Sequence, residues 1–512
     1  MTQSKRETER KYEPPSPGTG GLPDLTGAGP VASVTAAGPE ELDAVYYDTA
    51  DLRLAGTSAT LRRRTGGPDA GWHLKLPLTG DSREEVRAPL SDDVPRVLRE
   101  LVVSRTRGAE LRPVVRVRSA RTVRHLRDAD GRVLAELSLD EVRADSLPAG
   151  GGHAEWSELE VELADGVHAG LLDTVERRLR KKGIVRADSP SKLVRALRET
   201  GAPVERERPR PSAGEVVPGS PGAHVLAYLR EQTGILVALD PAARRDLPDG
   251  VHRMRVTCRR LRSCLRSYRS VLDRRVTDPV RAELQWLAGE LGAERDQEVL
   301  SERLAAGVAE LPDHLVLGPV AARLRVWDVS RGAAGRTRTR QALASSRYLR
   351  LLEALDGLVR RPPLRAGAAG KPARTMARAV LKEYDRLAGR MDHALEQPAG
   401  PARDTALHQA RKAAKKVRYA AEVARPALGK PVARLGRRAK AVQKLLGEHQ
   451  DAVVTQDALR GLAVAAHGAG ESAFTWGLLH GQERARARAR QEELPSVWRA
   501  ASDPALRAAL EH

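Results

Sequence analysis

Short segments of alternating polar and apolar residues dominate the first two hundred positions. RETERKYE, VYYDT, ATLRRR, WHLKL, EVRAPL, VVRVRS, LAELSLD and WSELEVEL follow one another, separated by Gly, Pro and Asp. A period of two sends successive side chains to opposite faces of a strand, so this region predicts an antiparallel barrel or sandwich. LLDTVERRLRKKG breaks the alternation and predicts a helix, with Leu171, Leu172, Val175 and Leu179 on one face. Residues 201–221 are rich in Pro and Gly and read as a linker. Beyond them Ala, Leu and Arg recur at helical spacing, and the stretch RPPLRAGAAGKP (361–372) divides that region into halves of about 222–360 and 373–512.

The two helical halves resemble each other. HRMRVTCRRLR (252–262) and HQARKAAKKVR (408–418) each begin with His and carry bases at +3, +7, +8 and +10 with an aliphatic residue at +9. LGAERDQEV (291–299) and LGEHQDAVV (446–454) each place Asp four residues after Gly. The paired histidines lie 156 positions apart and the paired aspartates, Asp296 and Asp451, 155. Two pairs in one register indicate a duplicated helical unit.

Charge sharpens the division. The 512 residues carry a formal net charge of +20, yet residues 1–200 hold 32 basic and 32 acidic side chains, against 55 and 35 for the remainder. The surplus lies wholly in the helical part and points to a polyanion. The opening MTQSKRETERKYE has no apolar segment of the signal-peptide kind, and no 18-residue apolar run is present, so a cytoplasmic protein without a membrane partner is expected. Two cysteines, Cys258 and Cys264, lack metal-ligand spacing. Aromatic residues make up 3% and Asn is absent, which argues against nucleic acid as the partner, since base stacking and base-edge reading need them.

In the strand region the charges are sorted by face. Glu7, Glu9 and Lys11 share one face, as do Arg62 with Arg64, Arg83 with Glu85 and Arg87, Arg116 with Arg118, and Glu158 with Glu160 and Glu162. Alternation alone fits an exposed sheet face, but solvated faces mix signs, whereas two of these strands carry only arginines. Converging carboxylates would hold Mg²⁺ or Mn²⁺, and neighbouring bases would clamp phosphate oxygens.

The opening Glu7-x-Glu9-x-Lys11 resembles the signature of the CYTH, or triphosphate tunnel metalloenzyme, family. The likeness continues in order through VYYDTADLRLAGTSATLRRR (45–64), WHLKLP (72–77), REEVRAPL (83–90), VVRVRSAR (114–121), LAELSLDEV (134–142), WSELEVEL (156–163) and SPSKLVRAL (189–197). The resemblance, covering about residues 1–200, implies an eight-stranded antiparallel tunnel that hydrolyses a triphosphate with a divalent metal. Carried over by position, Glu7, Glu9, Asp140, Glu158 and Glu160 would be metal-side carboxylates, with the choice among the late glutamates open. Lys11, Arg62, Arg64, Lys75, Arg87, Arg116, Arg118 and Lys192 would bind phosphates, and Lys11 would act either as clamp or as general base. The Pro/Gly-rich insert after Glu13, PPSPGTGGLPDLTGAGP, departs from the family pattern and reads as a loop near the tunnel mouth or as disorder.

In the helical region His252, Arg255, Arg259, Arg262, Arg266 and Arg269 are spaced 3, 4, 3, 4, 3, which places them along one helix face. His408, Arg411, Lys415 and Arg418 repeat the stripe, with Lys412 and Lys416 beside it. Like charges at this spacing repel, and the repetition favours an anion-binding surface over a merely solvated face. These features resemble the CHAD domain, a duplicated helical family often joined behind CYTH domains, which implies binding of inorganic polyphosphate. Asp296 and Asp451 are expected to fix helix packing, while Arg295 and His449 fit either role. The chain therefore reads as an α+β two-domain protein: an eight-stranded antiparallel tunnel, then an all-α duplicated bundle. Metal-dependent hydrolysis of inorganic triphosphate, with polyphosphate bound by the helices, is the expected function. The alternatives are a non-catalytic polyphosphate-binding or granule-associated protein, and a nucleotide cyclase.

Overall fold

The computed structural model describes residues 3–14, 23–201 and 216–511, without the side chains of 293–298 and 330–334. The chain forms two compact units that divide at Pro209 and Arg210. Eight antiparallel strands build the first: β1 (Gln3–Glu13), β2 (Ser33–Asp48), β3 (Thr60–Thr65), β4 (Gly71–Pro77), β5 (Ser82–Ala88), β6 (Arg112–Arg127), β7 (Val133–Ser146) and β8 (His153–Leu163). The order β5-β4-β3-β2-β6-β7-β8-β1 closes through a β5–β1 ladder, and the two-residue β9 (Val185–Arg186) adds to the outer edge of β1. Closure removes the free sheet edges and leaves one face enclosed.

What fills the enclosure changes along its length. α3 (Lys192–Glu199) packs Leu193 and Ala196 against Ala44, Tyr46, Val115, Val117, Val142, Ala144 and Trp156, so one stretch of the interior is an apolar plug. The interior elsewhere is ionic. Outside the barrel, α1 (Arg96–Thr106) covers β3–β5 with Leu98, Leu101 and Val102, and α2 (Gly170–Arg180) buries Leu171, Leu172, Val175 and Leu179 as their spacing predicts. The insert after Glu13 is partly packed: Leu25, Ala28 and Val31 are buried in the core that α2 covers, while residues 15–22 lie outside the described residues. Residues 23–31 are a loop of turns, as expected, but an anchored one, because three apolar side chains are buried. β2 also runs far longer than VYYDT, its first half forming an exposed ladder with β6 across a bulge at Ala36/Gly38, where low burial leaves little apolar pattern to read.

The second unit is helical. Its first half contains α4 (Pro221–Arg244), α5 (Gly250–Ser267), α6 (Arg274–Glu290), α7 (Gly292–Ala309), α8 (Val320–Ala344) and α9 (Ser346–Arg360). Its second contains α10 (Pro372–Glu396), α11 (Pro401–Gly468), α12 (Phe474–Ala501) and α13 (Pro504–Glu511). α4 starts on Pro221 behind Ser220, whose hydroxyl accepts from the Ala223 amide at 3.2 Å. α11 is two helical stretches meeting at Gly429 (φ 61°, ψ −132°) between Pro426 and Pro431. The two halves share one core, in which Met254, Cys258 and Leu261 pack in the same cluster as Ala410, Ala414 and Val417. The Tyr268 hydroxyl crosses from one half to the other, donating to the Ala420 carbonyl at 2.7 Å. No helix among the described residues is long and apolar enough to cross a membrane.

Candidate active site and polyanion surface

Register decides which side chains meet inside the barrel, because directly opposed residues of an antiparallel pair point to the same side. Lys11 opposes Glu160, Glu158 opposes Asp140, Arg121 opposes Asp140 and Glu40, and Lys75 opposes Glu85. Apart from Glu158 and Asp140, which are fully buried, these residues line a cavity of about 950 Å³, counting the space at its mouth, in which Tyr46, Thr60, Pro68 and Ser191 are the only uncharged lining residues among those described. Glu7, Glu9, Lys11, Arg62, Arg64, Lys75, Arg87, Glu160 and Lys192 all reach it.

Two groups of acids stand in and against the cavity wall. Lys192 donates to Asp140 Oδ2 at 2.9 Å, Glu158 Oε1 at 3.0 Å and Glu160 Oε1 at 2.6 Å. It can do so because Ser191 caps α3, accepting from the Val194 amide at 3.2 Å, and so starts the helix with Lys192 at the tunnel wall. Arg121 adds contacts to Asp140 (2.7 Å) and Glu160 (3.0 Å), and Lys11 also pairs with Glu160. The second group is Glu7, Glu9 and Glu162, one carboxylate oxygen of each lying within 4.8 Å of the others. Lys75 stands beside it, 2.6 Å from Glu7 Oε2 and 3.5 Å from Glu9 Oε2.

These surroundings set the protonation states. Burial pushes the Glu7 carboxyl up to about 7, with Lys75 opposing and the nearby Glu162 and Glu85 assisting. Glu9 feels the same burial but is held well below the usual range by Lys11, Lys75 and Arg83. Burial lowers the Lys11 ammonium, helped by Lys192 and Lys75 and opposed by Glu9 and Glu158. Lys192 is shifted the other way, because Asp140 and Glu158 outweigh its burial. A raised Glu7 among three convergent hard-oxygen donors is a site short of positive charge, which fits a divalent cation.

The expected inward placement of Arg116 and Arg118 fails. Arg116 and Arg118 stand on the outer face, where Arg116 Nε lies 3.0 Å from Asp43 and Arg118 pairs with Asp145. Their register explains it: tunnel-facing Tyr46 and Ala44 oppose Val115 and Val117, so the inward positions of β6 are the odd ones. The plug makes those positions apolar first and charged only at Arg121, which inverts the rule that the charged face is the tunnel face. Asp140, Glu158 and Glu160 are held by Lys192, Lys11 and Arg121, with Lys11 also 3.6 Å from both Glu9 and Glu158; Glu162 is the late glutamate whose carboxylate lies with those of Glu7 and Glu9. Arg121, Arg83 and Lys5 were not identified from the sequence as lining residues, although the spacing Val115, Val117, Arg121 carried the signal.

In the helical unit the stripes converge. Lys415 is pushed down to about 7 by its burial and by Arg411, Arg259, Arg255 and Arg418 around it, so bases from α5 and α11 form one cluster. His408 is also lowered, by burial and by Lys412 and Arg411, and is neutral near physiological pH. Arg418 is partly neutralised by Glu422 at 3.5 Å and lies over the Tyr419 ring. Arg262 turns away, donating to Gln285 at 2.8 Å, while Arg266 stands near Lys416, whose ammonium is lowered by its burial and by that arginine. Lys412 is exposed, and His252 borders the cluster's helix half-buried.

The duplication is visible at atomic scale. A Cβ on Gly292 would lie 3.2 Å from the Arg255 guanidinium carbon, and one on Gly447 would lie 3.4 Å from Arg411 Nε. Each motif glycine thus gives room to the arginine three residues after the paired histidine. Arg411 Nη2 is 3.9 Å from Asp451 Oδ1, whereas the side chains of Arg295 and Asp296 lie outside those described. His449 is buried against Asp404 (3.3 Å) and Gln491 (2.8 Å), which makes it a packing residue.

Comparison with known proteins agrees with both units. The CYTH domain family matches residues 5–197 and the CHAD domain family residues 227–460. Protein MT2285 of Mycobacterium tuberculosis is 38% identical over 495 residues, covering 93% of each chain. PptA from Streptomyces chartreusis superposes with a TM-score of 0.46 at 23% identity over 55% of this chain and 100% of its own. The CHAD domain of the plant Ricinus communis does so with a TM-score of 0.40 at 26% identity, over 57% of this chain and 91% of its own. The chain belongs to the family of proteins that join an N-terminal CYTH domain to a C-terminal CHAD domain.

Proposed function

We propose that the tunnel hydrolyses inorganic triphosphate, or a related short triphosphate, with Mg²⁺ or Mn²⁺, and that the helical unit binds long polyphosphate. CYTH domains include triphosphatases and cyclases and depend on a divalent metal. One observation favours an inorganic substrate: the cavity wall is ionic almost throughout and offers a purine little more than Tyr46 to lie against, and its hydroxyl is turned to Arg62 at 3.4 Å. A cyclase must also seat a ribose and a base, and a nucleobase needs an apolar or aromatic wall.

Glu7, Glu9 and Glu162 would hold the metal, which supplies charge neutralisation of the phosphates and a polarised water. Lys75, Arg62, Arg64 and Arg87 would hold phosphate oxygens and stabilise charge developing on the leaving pyrophosphate. Of the four lysines lining the cavity, Lys11 is the one whose ammonium is disfavoured, and a neutral Lys11 amine can accept a proton from attacking water. One panel tests the reading: triphosphate, ATP, thiamine triphosphate and polyphosphate with each metal, following phosphate, pyrophosphate and cyclic AMP. Phosphate release from triphosphate is expected, lost in Glu9→Gln. Cyclic AMP as product supports the cyclase, and tight polyphosphate binding without turnover supports a non-catalytic, granule-associated role.

A further inference from the structure

The turn between β3 and β4 reaches back into the tunnel. Arg64 is the last cavity-lining residue of β3, and Pro68 and Asp69 of the following turn line the same cavity. The turn is fixed at both ends. At one end Gly66 has φ +77°, and a Cβ there would lie 2.1 Å from the Glu41 carbonyl oxygen, so the backbone is pressed against β2. At the other end the Asp69 carbonyl accepts from Nε2 of the buried His73 at 2.9 Å. The Asp69 side chain is the movable part, and its carboxylate pairs with Arg64 and lies 3.5 Å from Arg87 Nη2.

Arg64 is thus covered by an acid that differs in its place from the other lining acids, and Arg87 is shared between that acid, Glu85 and Glu7. Every other acid among the described lining residues projects from a strand. Asp69 sits on a turn with 24% of its side chain exposed, so a rotation about its side-chain bonds returns the carboxylate to solvent. A carboxylate offers arginine the same paired oxygens as a phosphate does. An anion arriving at these guanidiniums must therefore displace an internal competitor, and the apparent affinity falls by the fraction of molecules in which the arginines are free.

We propose that the Asp69 carboxylate is an internal stand-in for a substrate phosphate, held by Arg64 and Arg87 and displaced on binding, and that it sets the affinity threshold of the tunnel for short polyphosphate. This rests on the reading of the tunnel as a triphosphate site. Asp69→Asn keeps the backbone carbonyl that anchors the turn and removes the competing charge. It is expected to lower KM for triphosphate roughly fivefold with kcat unchanged, and the gain should shrink as salt rises. Asp69→Ser should behave alike, which guards against a packing effect peculiar to the amide. Unchanged or raised KM in both variants, with melting temperatures equal to the parent's, overturns the proposal while leaving the tunnel reading intact. A parent protein that neither binds nor hydrolyses triphosphate overturns both.

Discussion

Lys415 and Glu7 are each shifted to about 7, from opposite sides of their ordinary values, and each makes its site dependent on pH. Lys415 loses its charge as pH rises through about 7 because burial and four arginines disfavour the ammonium. An anion bound among those arginines restores the charge, so binding takes up a proton above that pH and weakens as pH rises, by at most about tenfold per unit. Titrating polyphosphate across this range should show the slope in the parent and a flatter one in Lys415→Arg, whose guanidinium stays charged. At Glu7 a metal ion competes with a proton. Below about 7 the apparent metal affinity is expected to fall about tenfold per unit, measured by metal titration at fixed ionic strength. For folding without metal the sign is also set: the raised Glu7 stabilises the fold most below its ordinary value of 4.5, and that contribution is lost as pH climbs through about 7.

At the scale of elements, the helix pairs of the second unit are held by arginine over glycine, which separates stability from binding. Gly447 lies within a helix, where Ala is preferred by about 1 kcal/mol, but its new Cβ would push against Arg411 at 3.4 Å. Gly447→Ala is therefore expected to melt no lower than the parent and to bind polyphosphate more weakly, as the guanidinium leaves its position in the cluster. Equal binding with a raised melting temperature would show that Arg411 does not contact the chain. In the first unit the strands and helix α2 were legible because their apolar positions repeat at the period of the element. α1 has Leu98, Leu101 and Val102 at equally helical spacing, but over only 11 residues and between two strands. β6 was legible as a strand but not as to which face is inward, since that depends on α3 filling the barrel from far along the chain.

For the whole molecule, the neutral and the basic parts are two compact units whose core clusters do not mix. Their electrostatics should respond differently to salt. The tunnel's charges are enclosed and paired at short range, whereas Lys412, Arg266 and much of the helical surplus are exposed. Raising ionic strength is expected to weaken polyphosphate binding steeply and triphosphate turnover only mildly, because screening acts on exposed charges first. Comparable losses in both assays would contradict the assignment of the two substrates to the two surfaces. By itself, the sequence determined the existence of a strand region and a duplicated helical region, the sorting of charge and the family motifs, because periodicity, composition and spacing are local properties. Tertiary structure alone decided that Arg121 and not Arg116 or Arg118 enters the tunnel, that Glu162 joins Glu7 and Glu9, and that Asp69 covers Arg64. Each depends on register, on a plug or on a turn that folds back, and a contact between distant segments has no period in the chain from which it could be read.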